Sequence, residues 1–330
     1  MKKFTLTKLP AHSLRLVAPQ SFRIDYKKEL NAAQYEAVTS VDGPFLIIAG
    51  AGTGKTRTIV YRVSYLIECG VNPESILLLT FTRKAAREML RRAVILLDAR
   101  CENVAGGTFH SFANGLLRKY ADKLKYARNF TILDQGDAED VINLIRTQLK
   151  FDSKAKRFPR KSTLYDLYSR SVNTLIPVDQ LLAKDYPHYI EIVDDIKKVH
   201  DGYVRYKASN NLMDYDDLLL NIVKLLKGNE PLRAILSDRF KYIMVDEYQD
   251  TNKIQAEIVR LLAHKHQNVM VVGDDAQSIY SFRGSTIENI RTFPDEFPGC
   301  KIIKLEENFR SSQPILNLAN EILKRAVTPP

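Results

Sequence analysis

Tryptophan is absent from this chain of 330 residues, and cysteine is nearly so. The three cysteines, Cys69, Cys101 and Cys300, are scattered and odd in number. That argues against a disulfide scaffold or a cysteine metal cluster and for a reducing compartment. Six histidines are present, none at a metal-ligand spacing. No apolar run approaches the ~18 residues of a membrane span. The N-terminus has lysines but no continuous apolar stretch, so no secretory signal is expected. Residues 1–28 read as a basic extension, with five basic and no acidic residues in the first 24. Acidic residues are the minority: 39 Asp plus Glu against 49 Lys plus Arg, a net charge of +10. A polyanionic partner is favoured, although the charge is spread along the chain. There is no internal repeat and no low-complexity segment.

What is present begins with Ala49-Gly-Ala-Gly-Thr-Gly-Lys-Thr56. An apolar run, Phe45–Ile48, precedes it, and a helical pattern from Arg57 to Ile67 follows. Strand, glycine-rich loop and helix form the context of a phosphate-binding loop. Its members are Ala49, Gly50, Ala51, Gly52, Thr53, Gly54, Lys55 and Thr56. Glycines let successive N–H groups face one anion, and the helix start adds its positive end. Lys55 is placed to reach the β and γ phosphates of ATP, and the Thr56 hydroxyl to ligate Mg²⁺. Ala49 stands where the strict pattern has glycine, which is acceptable if no positive φ is needed there.

Further short apolar runs, Ile76–Phe81, Tyr242–Val245 and Val269–Val272, alternate with helical patterns. They lack polar alternation, as strands covered on both faces do. The fold class expected is α/β: a parallel sheet with helices on both faces, plus an inserted α-helical subdomain. The insertion is placed at 115–208, where strand-like runs vanish and apolar residues recur at helical spacing. The lobe around it is expected at 29–114 and 209–300. Within the insertion, residues 154–161 carry five cations in eight positions. They read either as a solvated loop or as a nucleic-acid contact.

Tyr242–Val245 runs into Asp246 and Glu247. A metal-holding carboxylate and a base for the attacking water, beside a separate phosphate loop, are the minimum for hydrolysis. After Val269–Val272, Gln277 can bond both a phosphate and a positioned water. Tyr280, Phe282 and Arg283 follow; an aromatic-plus-arginine cluster suits stacking on unpaired bases, and core packing is the competing reading.

In order and wording these motifs resemble superfamily 1 DNA helicases of the UvrD/Rep type, from Leu30 to Ile315. Leu30-Asn-Ala-Ala-Gln-Tyr-Glu-Ala-Val38 is similar to the adenine-sensing glutamine motif of that family. Leu79–Met89 and Gly107–Phe112 resemble its single-strand contact motifs. Val245–Asn252, Gly273–Gly284 and Leu305-Glu-Glu-Asn-Phe-Arg-Ser-Ser312 complete the set. The resemblance implies a RecA-like first lobe interrupted by a helical insertion, with a second lobe opening at 301–330. It implies Gln34 at the adenine edge and Arg57 and Phe309 on the two faces of the ring. Lys55, Asp246, Glu247, Gln277 and Arg310 become the catalytic set, with Thr56 and Asp246 on Mg²⁺. Phe81, His110, Tyr280 and Phe282 become strand contacts, and Arg283 links strand and ATP sites.

The implied activity is that of an ATP-dependent helicase or translocase on single-stranded DNA or a single-strand/duplex junction. Movement from 3′ to 5′, repair or replication, and a bacterial-type cytoplasmic protein at the nucleoid come with it. Two residues depart from the pattern: Phe282 replaces the usual tryptophan, and Arg83 the usual asparagine. The family's second lobe runs well beyond its Asn-Phe-Arg-Ser motif, whereas about twenty residues follow Arg310 here. The expectation is an N-terminal portion of a helicase, or else a module that binds ATP and single-stranded DNA with negligible turnover alone.

Overall fold

The computed structural model describes residues 21–151, 158–278 and 287–325. Tyr280, Phe282, Arg283 and four members of the cationic run, residues 154–157, lie outside these. The described strands are β1 (Phe45–Ala49), β2 (Ile76–Thr80), β3 (Ala105–Thr108), β4 (Thr131–Ile132), β5 (Leu212–Met213), β6 (Tyr242–Val245), β7 (Val269–Gly273) and β8 (Lys301–Leu305).

Six of them form one parallel sheet in the order β3-β2-β6-β7-β1-β8. The side chains alternate between two cores. Leu46, Leu77, Leu79, Ile243, Val245, Val269 and Val271 face one side. Phe45, Ile47, Ile76, Leu78, Tyr242, Met244, Met270 and Val272 face the other. Both faces are apolar because both are covered, so these strands read as unbroken apolar runs. Helices Phe109–Tyr120, Tyr215–Gly228 and Lys253–Leu262 cover the first face. Helices Lys55–Glu68 and Arg83–Leu96 cover the second. An aromatic cluster of Tyr26, Tyr61, Phe22 and Tyr65 closes the side of the latter layer.

The helical insertion has its own core, built from Leu133, Ile142, Leu164, Tyr168, Leu182, Ile196, Val199 and Tyr203 among others. The chain leaves through β4 and returns through β5, and these two short strands pair with each other. The paired crossings lie at 131–132 and 212–213. Residues such as Leu117, Ala121 and Phe130 pack into the core of the large sheet.

The segment expected to open a second lobe also differs. Lys301–Leu305 is hydrogen-bonded along β1 as the outer strand of the same sheet. Ile303 and Leu305 are buried, while Lys301, Ile302 and Lys304 are exposed, the half-covered pattern of an edge. Beyond it, helix Gln313–Lys324 keeps Ile315, Leu318 and Ile322 exposed.

Candidate functional site

The C-terminal ends of β1, β6 and β7 meet at the middle of the sheet, where ligands bind in open parallel sheets. At the end of β1 the chain turns through Gly52 (φ +86°) and Gly54 (φ +91°), left-handed values that suit glycine. Thr53 folds back, its hydroxyl donating to the Gly50 carbonyl at 2.8 Å. Gly54 is the N-cap of helix Lys55–Glu68 and offers no side chain to its first turn. The unpaired N–H groups of that turn are thus left for an anion.

At the end of β6, Asp246 is buried and Glu247 takes a left-handed backbone (φ +51°, ψ +49°). A non-glycine residue there costs about 1–2 kcal/mol. Two contacts hold it. Lys55 Nζ lies 2.9 Å from Glu247 Oε2, and the Gln249 amide donates to the same oxygen at 2.8 Å. β1 and β6 are separated by β7, about 10 Å apart at ordinary strand spacing. Only long side chains such as lysine and glutamate close that distance. Gln249 continues to β7 by accepting from the Asp274 amide at 3.1 Å, and Gln277 donates to Asp274.

Burial, then repulsion from Glu247, pushes the Asp246 carboxyl up to about 7, with Lys55 opposing. The same causes raise Asp250 to about 6. One oxygen of each carboxylate is buried without a hydrogen-bond partner among the described residues. Such an oxygen is costly unless a cation or donor meets it. Thr56 and Asp246 line one compartment, and hydroxyl plus carboxylate oxygens suit Mg²⁺, which takes its other ligands from phosphates and water. Among the described residues no cluster of three or more His, Cys, Asp or Glu ligands exists.

A cavity of about 440 Å³ is lined by Ala51, Gly52, Gly54, Lys55, Thr56, Arg57, Arg92, Glu247, Gln277, Phe309 and Arg310. The structure thus brings together the loop, the carboxylate base, Gln277, Arg57, Phe309 and Arg310. Arg57 also binds the Glu29 carboxylate at 2.9 Å and lies over the Tyr61 ring. Gln34 stands behind the phosphate loop. It is buried beneath the loop, donating to the Thr53 carbonyl at 3.0 Å, and its carbonyl accepts from the Asn31 amide in a capping box. Its amide braces the loop from inside the protein.

A second, larger groove of about 800 Å³ runs from Asp246, Glu247 and Asp250 to the insertion, passing Phe81, His110, Tyr165 and Tyr215. Phe81 and His110 therefore share one groove. Burial lowers the pKa of His110, and its ring meets Tyr215 edge-on at 6.0 Å.

Sequence reasoning missed Arg92, Gln249, Asp250 and Asn308. Arg92 stands one helical turn after Glu88, with which it pairs at 2.8 Å, so spacing could have placed it. Asn308 Nδ2 donates to the Ala51 carbonyl at 2.6 Å across the fold, a contact no local pattern encodes.

The sequence model of the UvrD/REP helicase N-terminal domain matches residues 30–298. The chain is 40% identical over 299 residues to the ATP-dependent DNA helicase PcrA of Staphylococcus epidermidis, covering 90% of this chain and 40% of the relative. PcrA of Staphylococcus aureus is likewise 40% identical, over 297 residues. The chain thus spans about 40% of the length of these curated relatives. With the matched segment embracing the loop, the insertion and the carboxylates, this chain belongs to the UvrD/REP helicase N-terminal domain family.

Proposed function

We propose that the chain is the ATP-binding N-terminal portion of an ATP-dependent DNA helicase that translocates on single-stranded DNA. The observation that carries this reading is the 2.9 Å contact between Lys55 and Glu247 across the cavity. It joins the phosphate loop to the carboxylate pair in one site. Family resemblance and the relatives' name, ATP-dependent DNA helicase, support the reading. The 3′ to 5′ direction, the junction substrate, the repair or replication role and the nucleoid setting are parts of the proposal taken from the resemblance.

In the resting site Lys55 and Glu247 satisfy each other. A triphosphate entering the loop replaces Glu247 as the partner of Lys55. Glu247, still held by Gln249, is then free to accept a proton from the attacking water. Thr56 and Asp246 would hold Mg²⁺, which supplies charge neutralisation at the phosphate oxygens. Gln277 and Arg310 face the terminal phosphate from the two walls, and Arg57 and Phe309 hold the base. Phe81 and His110, in the groove that reaches Asp250, contact the strand.

Titration calorimetry with Mg·ATP and an oligo-dT strand tests this. Both ligands bind the unmodified chain, and Lys55→Ala weakens ATP by at least about tenfold, roughly 1.4 kcal/mol. Strand affinity falls steeply as salt rises, because phosphate contacts release counterions. No binding of either ligand sinks the reading, and strand affinity that is flat in salt removes the backbone-tracking groove.

A further inference from the structure

The segment after β8 lies directly on the phosphate loop. Asn308 Nδ2 donates to the Ala51 carbonyl at 2.6 Å, and the Phe309 amide to the Gly52 carbonyl at 2.9 Å. The other end of the same side chain, Asn308 Oδ1, accepts from the Arg310 and Ser311 amides, each at 2.9 Å. One side chain thus folds the turn that carries Arg310 and fastens that turn to the loop. The approach is close: a Cβ on Gly52 would come within 2.7 Å of Arg310 Cβ and 2.8 Å of Asn308 Oδ1.

The preceding residue completes a ring of contacts. Glu307 accepts from Asn31 Nδ2 at 2.8 Å. Asn31 caps the helix that holds Gln34, and Gln34 donates to the Thr53 carbonyl. The loop is therefore clasped at Ala51 and Gly52 on one side and at Thr53 on the other.

We infer that Asn308 is a positioning residue, which sets Arg310 against the terminal phosphate by tying its turn to the carbonyls of the phosphate loop. The inference rests on the ATP reading above and adds what fixes the arginine. Arg310 is attached to an exposed chain segment, so without a tether its long side chain samples many positions. Removing Asn308 acts chiefly on the γ-phosphate contact, because Phe309, which faces the base that ADP shares, keeps its own amide bond to the Gly52 carbonyl.

The test is the ratio of Mg·ATP to Mg·ADP affinity, by calorimetry on the whole chain. Asn308→Ala lowers ATP affinity about tenfold and ADP affinity less than about threefold, as the loss of one or two positioned hydrogen bonds predicts. Arg310→Ala does the same, and the double variant loses no more than either single one. Asn308→Ser keeps a short acceptor for the turn but cannot reach the Ala51 carbonyl, and loses the preference for ATP likewise. Thermal melting shows each variant folded. Retained preference for ATP in Asn308→Ala or Asn308→Ser, or additive losses with Arg310→Ala, overturns the inference and leaves the ATP reading standing. A chain that binds neither nucleotide overturns both.

Discussion

Asp216 has its carboxyl pushed up to about 6, by burial first and by Asp214 second. Asn173 donates to it at 2.9 Å. Beside it, Lys207 meets Asp214 at 2.5 Å and Asp217 at 2.6 Å, so this cation is already shared by two other carboxylates. The folded chain holds a proton at Asp216 that the unfolded chain has released. Stability from this group is therefore present below about pH 4 and lost as pH rises through about 6. Asp216→Asn should flatten the pH dependence of thermal melting between 4 and 6 and stabilise the chain by about 2 kcal/mol at pH 7.5. An unchanged profile would assign that slope to other carboxylates. At this scale the sequence was informative where chemistry is local. Lys55, Thr56, Asp246 and Glu247 stand at the ends of readable strands and meet in the fold. Gln34 and Asn308 were not readable in the same way, because their partners, Thr53 and Ala51, are chosen by packing between distant segments.

Helix Lys253–Leu262 begins at Asn252, whose side chain accepts from the Gln255 amide at 3.0 Å while its own backbone amide donates to Gln255 Oε1 in a capping box. The same side chain donates to Asn173 Oδ1 at 2.6 Å, joining the helix that follows the carboxylates to the insertion. Asn252→Ala removes both, at a cost of about 1–2 kcal/mol. Hydrogen exchange should quicken in the first turn of this helix and at the C-terminal end of helix Lys161–Thr174. A change confined to the first of these would limit Asn252 to capping. Elements were legible in proportion to their burial. β1, β2, β6 and β7 are interior strands with two apolar faces and were read from the sequence. β3 consists of Ala105, two glycines and Thr108, with no apolar run to mark it. β8 alternates exposed lysines with buried residues, as an edge does, and its motif pointed to the next lobe. β4 and β5 are two residues each, too short for any periodicity, so their crossing leaves no mark in the sequence.

At the scale of the molecule, the core of the insertion and the core beside the sheet share no buried residue among those described. Their two crossings are pinned together where β4 pairs with β5. Replacing residues 133–211 with a short Gly-Ser link should leave a cooperatively folded lobe with ATP affinity within about threefold of the parent. Strand affinity should fall, because the groove loses its Tyr165 wall. A collapsed melting transition would mean that the lobe needs the insertion to fold. The sheet itself imposes an order on biosynthesis. Among the described strands β1 is the first to leave the ribosome, yet its partners are β7 and β8, the last two of them to follow. Contacts so remote in sequence form late and slowly. Until residue 273 emerges Phe45–Ala49 has neither of its neighbours, and until residue 305 it lacks the β8 side, so it stays an apolar strand open to aggregation. The loop at the end of this strand is thus encoded early, while the neighbours that hold its strand arrive late.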